Sequence, residues 1–205
     1  MGEKARTAKA PFQDLVRVAL RNGASRAGVI SAEDVVIDKR VRLKCLVPRC
    51  ENYGRHLLCP PNTLPVDEFQ EIVKAYSHAL LVQLDASYDS TDKPKSPLGK
   101  RASQALRENT GNEPEHQLHR IVNEVEREAF KRGSYFAAGL IGSDCALCTT
   151  CVGVESGSGC RHPFEARPSM QSMGIDVIRT CEAAGMPIAL SSREKVRWTG
   201  LVFLD

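Results

Sequence analysis

Seven of the eight cysteines fall into two groups. Cys145, Cys148, Cys151 and Cys160 form a C-x2-C-x2-C-x8-C run, and Cys45, Cys50 and Cys59 form a C-x4-C-x8-C-P-P run. Thiolates are soft ligands, and three of them at two-residue intervals suit a metal cluster. A [4Fe–4S] cubane offers several iron corners close together, so one tight loop can serve three of them. A single zinc ion has four tetrahedral positions and is usually held by two separated C-x2-C knuckles. The spacing therefore points to an iron–sulfur cluster in the second group, with zinc as the alternative. A redox dithiol ranks third, because Cys145/Cys148 and Cys148/Cys151 overlap. The c-type haem motif is absent, since Val152 follows Cys151 where histidine is needed. Gly153, Gly157 and Gly159 allow the backbone to approach a cluster. Arg161, His162 and Arg167 follow the fourth cysteine, and their charge is expected to offset that of a thiolate-bound cubane.

The first group has only three local thiols. Cys59-Pro60 echoes the cysteine–proline end of ferredoxin motifs. A cubane here needs a fourth ligand, for which Cys181, His56, an Asp or Glu, or an exogenous molecule are candidates. Cys181 shares a predicted helix face with Ile178 and Ala184, which reads as a buried core cysteine. One iron of the first group would then keep an open position, where a small molecule can bind and be polarised. His116 and His119, three apart on a predicted helix, read as part of a solvated polar face. Arg193, Lys195 and Arg197 alternate before Trp198, as on a charged strand edge that could receive a partner protein.

The elements that must position these residues follow from periodicity and breakers. A helix is predicted over 11–22, with Phe12, Leu15, Val16, Ala19 and Leu20 as its apolar stripe and Gly23 as its stop. Short β-type runs follow at 26–30 and 34–38. The first cysteine segment, 45–62, is rich in Pro and reads as loop. A helix is predicted over 65–77 and a buried strand over 79–84. Residues 86–113 are rich in Ser, Asp, Asn, Lys and Pro and read as a mobile connection. The clearest helix is 115–132, with Leu118, Ile121, Val122, Val125 and Ala129 on one face. A strand at 135–141 leads into the second cysteine loop, 143–163. A helical stretch from Pro168, broken near Gly174, continues over 175–184, and strands at 187–191 and 198–204 close the chain. This order predicts an α/β protein, with mixed α+β as the alternative. Its single sheet is layered with helices, and both cysteine loops lie at its edge.

The 205 residues are 42% hydrophobic and 26% charged, which suits one soluble domain spanning 1–205. The formal charge of +3 is spread along the chain, unlike the basic face of a nucleic-acid binder. The opening MGEKARTAKAPF has no apolar core of a secretory signal, and no apolar run is long enough to span a bilayer, so a cytoplasmic protein is expected. In that reducing compartment clustered cysteines favour metal over disulfides. No nicotinamide fingerprint, P-loop or C-x3-C-x2-C radical triplet is present.

The stretches CLVPRCENYGRHLLCPPNT, CALCTTC and CRHPFEARPSMQSMGIDV together resemble a prokaryotic family of predicted metal-binding proteins, a domain of unknown function. The resemblance runs from about residue 25 to the end. It implies that Cys45, Cys50, Cys59, Cys145, Cys148, Cys151 and Cys160 are the metal ligands. The family's pattern has no fixed cysteine at position 181, which implies a core role there. The expected function is an iron–sulfur protein with one or two [4Fe–4S] clusters that passes electrons to a partner protein. An enzyme with an open-site cluster at Cys45, Cys50 and Cys59, and a structural zinc module, are the alternatives.

Overall fold

In a computed structural model, residues 12–87, 113–188 and 195–205 are described. Their frame rests on two strands whose alternate residues enter opposite cores. In β2 (His78–Ser87), Leu80, Val82 and Leu84 face one core, while Ala79 and Leu81 face the other. In β4 (Lys195–Leu204), Trp198, Val202 and Leu204 take the first side and Leu201 and Phe203 the second. Burial on both faces makes each strand read as a near-continuous apolar run. β1 (Arg26–Ser31) pairs with β2, and β3 (Ala138–Leu140) pairs with β4. The sheet order is β1-β2-β4-β3, antiparallel throughout, with Leu80 opposite Val202 and Gly139 also opposite Val202.

Helices cover both faces, so the mixed α/β layering read from the sequence holds. α1 (Gln13–Arg21) and the long helix Glu113–Lys131 lie on the first face. The stripe Leu118, Ile121, Val122, Val125 and Ala129 is fully buried there against Leu15, Val18 and Ala19. Each of the larger aliphatic side chains contributes about 1.5–3 kcal/mol by leaving water. The second face carries Phe69 and Val73 of the helix Val66–Val73, Cys181 of the helix Val177–Ala183, and Met170, Met173 and Ile175. With the single turn Leu43–Leu46, the helices number α1 to α5 in chain order: α2 is Leu43–Leu46, α3 Val66–Val73, α4 Glu113–Lys131 and α5 Val177–Ala183.

Several boundaries differ from the sequence expectation. Residues 34–38 form no strand. Ala32–Asp34 is a 3-10 turn, and Ile37 bridges Ile175 away from the sheet. The Asp38 N–H donates to the Gly174 carbonyl and the Asp176 N–H to the Val36 carbonyl, both at 2.8 Å. That short ladder satisfies the backbone without a place in the sheet. α3 stops at Val73 rather than 77. The strand expected at 135–141 shrinks to β3, because Ile141 pairs in parallel with Ser169 instead of continuing along β4. The helical stretch from Pro168 is only a 3-10 turn, Gln171–Met173, since Pro168 and Met170 bond to Ile141 at 3.1 and 2.7 Å. β4 starts at 195 rather than 198. The connection at 86–113 falls mostly outside the described residues, as does most of the strand expected at 187–191; Pro187 and Ile188 are not in a strand.

Candidate metal centre

The second cysteine loop leaves edge strand β3, and the first is held beside it by the turn Gln171–Met173. The Ser172 carbonyl accepts from Arg42 Nε at 2.8 Å and from Thr63 Oγ1 at 3.2 Å, which fixes both ends of the first cysteine segment. Gln171 Nε2 donates to the Gly142 carbonyl at 2.8 Å, where the second loop begins. The loops also bond to each other. Asn52 Nδ2 donates to Asp144 Oδ2 at 3.0 Å, and the Val154 N–H donates to the Arg55 carbonyl at 2.9 Å.

Cys45 ends up on α2, and Cys50 and Cys59 lie in the turns that follow. The Cys50 N–H donates to the Cys45 carbonyl at 3.0 Å, and the Asn62 N–H to the Cys59 carbonyl at 3.0 Å. These turns place all three cysteines on the wall of one cavity of about 620 Å³, with Lys44, Tyr53 and Asp144 among its other polar lining residues. Cys59 is buried. Burial pushes its thiol up to about 12, with the nearby Asp144 carboxylate, Cys50, Cys45 and Cys151 adding to the shift.

Cys145, Cys148, Cys151 and Cys160 are all half-buried and line a second, small cavity together with His56 and His162. Its volume, about 20 Å³, is room for about one water. Burial pushes the Cys145 thiol up to about 11, opposed by the Leu147 N–H and reinforced by Cys160, Cys148 and Cys151. The His162 N–H donates to Cys160 Sγ at 3.3 Å. Cys151 belongs to this cavity yet is felt at Cys59, so the two groups are electrostatic neighbours.

The seven clustered cysteines thus sort into a set of four and a set of three. Cys181 stands apart. It is fully buried in the second core, and Gln83 Nε2 lies 3.7 Å from its sulfur. His56 lines the second cavity, not the first. Arg167 is not a spare positive charge beside the loop, because it makes a two-bond pair with Glu126 of α4 at 2.8 and 3.0 Å. His119 is not on a solvated face either. It is 1% exposed, and neither ring nitrogen makes a well-formed hydrogen bond, although the Glu165 carbonyl favours its protonated form. His116 Nε2 lies 2.7 Å from the Ala146 carbonyl, so this side of α4 packs on the cysteine loop. A helix face that supports a loop reads as polar in sequence, so spacing alone does not separate it from a solvated face. Arg197 pairs with Asp85 at 2.6 Å, and Arg193 lies outside the described residues.

The donor set fits a thiophilic metal group: soft sulfur ligands, two adjacent cavities and backbone N–H groups aimed at sulfur. Among the described residues, no three His, Cys, Asp or Glu side chains converge on a point that would hold a single ion. No described helix is long and apolar enough to cross a membrane. No curated protein matches the chain, and no solved structure does. Residues 28–204, nearly the whole of the part that builds the sheet and both cysteine loops, match one family, and the chain belongs to it: the family described as "Predicted metal-binding protein (DUF2284)".

Proposed function

We propose that this protein is a cytoplasmic iron–sulfur protein that passes single electrons to a partner protein. A [4Fe–4S] cluster is held by Cys145, Cys148, Cys151 and Cys160, and a second by Cys45, Cys50 and Cys59. The observation that carries this reading is the sorting of seven thiols into two adjoining cavities, four on one wall and three on the other. The C-x2-C-x2-C spacing of the second group suits a cluster that takes its ligands at separate corners. Such a cluster supplies a one-electron couple when bound. The chain's own contribution is to tune that couple. The Leu147 N–H favours the charged form of the Cys145 sulfur, the His162 N–H donates to Cys160 Sγ, and burial of Cys145 and Cys59 opposes charge.

Two specific observations favour other readings. The second cavity, about 20 Å³, is nearer in size to a single ion than to a cubane, which favours a structural zinc site. The wide first cavity suits an enzyme that binds a small molecule at an open iron. Anaerobic purification followed by iron, sulfide and zinc analysis decides among them. Iron and sulfide in equal amounts, with broad absorbance that bleaches on reduction, are expected. Cys148→Ser should remove about four irons per chain, the content of one cubane. Zinc in place of iron, or unchanged iron in that variant, would overturn the assignment.

A further inference from the structure

We infer that Asp144 supplies the fourth protein ligand of the metal group held by Cys45, Cys50 and Cys59. The inference rests on the reading of that trio as a metal site. Among the described residues lining the first cavity, the Cys, His, Asp and Glu side chains number four: the three thiols and Asp144. The other named side-chain candidates lie elsewhere. Cys181 is sealed in the second core against Gln83. His56 lines the second cavity, and its Nδ1 accepts from the Leu58 N–H at 3.2 Å. Cys151 lines that second cavity with Cys145, Cys148 and Cys160.

Asp144 is also held for the role. It is half-buried at the joint where the second loop leaves the sheet, and Asn52, from the first loop, donates to its Oδ2 at 3.0 Å. A bonded carboxylate orients its lone pairs and loses less freedom on coordination, the usual arrangement behind a ligating residue. It shares the wall of the first cavity with Cys59, the most buried thiol of the trio. Without a cation, carboxylate and thiolates repel each other; a bound metal reverses the sign of that interaction and makes each anion favourable. The sequence gives no spacing rule for this ligand, because Asp144 sits next to Cys145 of the other group and reaches the first through the fold alone.

Carboxylate oxygen is a harder donor than thiolate and holds cluster iron less firmly. Asp144 would therefore hold the iron that a bound cluster releases first on oxidation. A [4Fe–4S]2+ cluster bound there would give up one electron to ferricyanide and release one Fe2+, leaving [3Fe–4S]+. The test measures iron per chain and the paramagnetic resonance of the three-iron product during ferricyanide titration of the full chain. Cys50→Ser serves as the control for the site itself: if it leaves the metal content unchanged, the reading of the first group fails, independently of Asp144. Where Cys50→Ser loses that metal, Asp144→Ala should lose one iron at several-fold lower ferricyanide than the natural protein. Asp144→Cys, which restores a strong ligand but not the Asn52 bond, should hold that iron at several-fold higher ferricyanide. Equal titrations in all three proteins would overturn the inference. So would equal weakening by Ala and Cys, the mark of a carboxylate that merely ties the loops together.

Discussion

At the scale of single residues, the company a cysteine keeps separates ligand from filler. The seven clustered thiols sit on cavity walls beside other thiols and backbone N–H groups. Cys181 sits among Phe203, Met186 and Leu201 of the second core, fully buried, with Gln83 Nε2 turned between its sulfur and the Met186 carbonyl. Removing its sulfur takes away a small apolar volume and a weak hydrogen bond. Cys181→Ala should therefore keep the full metal content and lower unfolding free energy by about 1–2 kcal/mol, as read from urea melts. Loss of close to half the metal would place Cys181 among the ligands and displace Asp144 from the role inferred for it.

At the scale of elements, the joint between β3 and the second cysteine loop is the tightest point. A Cβ on Gly142 would lie 2.2 Å from the Thr199 carbonyl oxygen and 3.1 Å from the Thr199 nitrogen, both backbone atoms of β4. Neither can swing aside, so Gly142→Ala must push the loop origin off the sheet and disturb the bond from Gln171. A destabilisation of about 1–3 kcal/mol and reduced metal content are expected. Gly159→Ala is the control, because nothing lies within 4 Å of the added carbon. Equal metal retention in the two variants would show that the joint does not set the loop. The sequence carried the elements whose signals are local: the apolar stripe of α4, the apolar runs of β2 and β4, and the cysteine spacings. It did not carry what depends on distant partners. The segment 36–38 reads as a strand but pairs with 174–176, and Pro168–Met170 reads as a helix start but lies along Ile141. Asp144 was invisible as a neighbour of Cys59 for the same reason, since 85 residues of chain, the difference between 144 and 59, separate them.

At the scale of the whole molecule, α4 is the beam on which the metal loops rest. One side buries five aliphatic residues against the sheet, and the other meets the start of the second loop through His116 and the segment just after it through Asn123 and Glu126. His119 is caught between these two jobs. Burial pushes its imidazole down to about 4 from an ordinary 6.5, with His116 and Arg167 acting in the same direction and the Glu165 carbonyl against it. The folded state thus keeps His119 neutral where the unfolded chain would protonate it. Below pH 6.5 the unfolded state binds the extra proton, so this contribution to stability falls as pH drops and is gone below about 4. The full loss corresponds to about 3 kcal/mol. Acid will also protonate the cysteines and release metal, so the natural protein alone cannot isolate the effect. The comparison with His119→Gln does, because both proteins share every thiol. Urea melts from pH 7 to pH 4 should show the natural protein losing stability more steeply than His119→Gln, with the two curves converging toward acid. Parallel curves across that window would mean that His119 titrates alike in the folded and unfolded chains, and that α4 does not seal it against the loop.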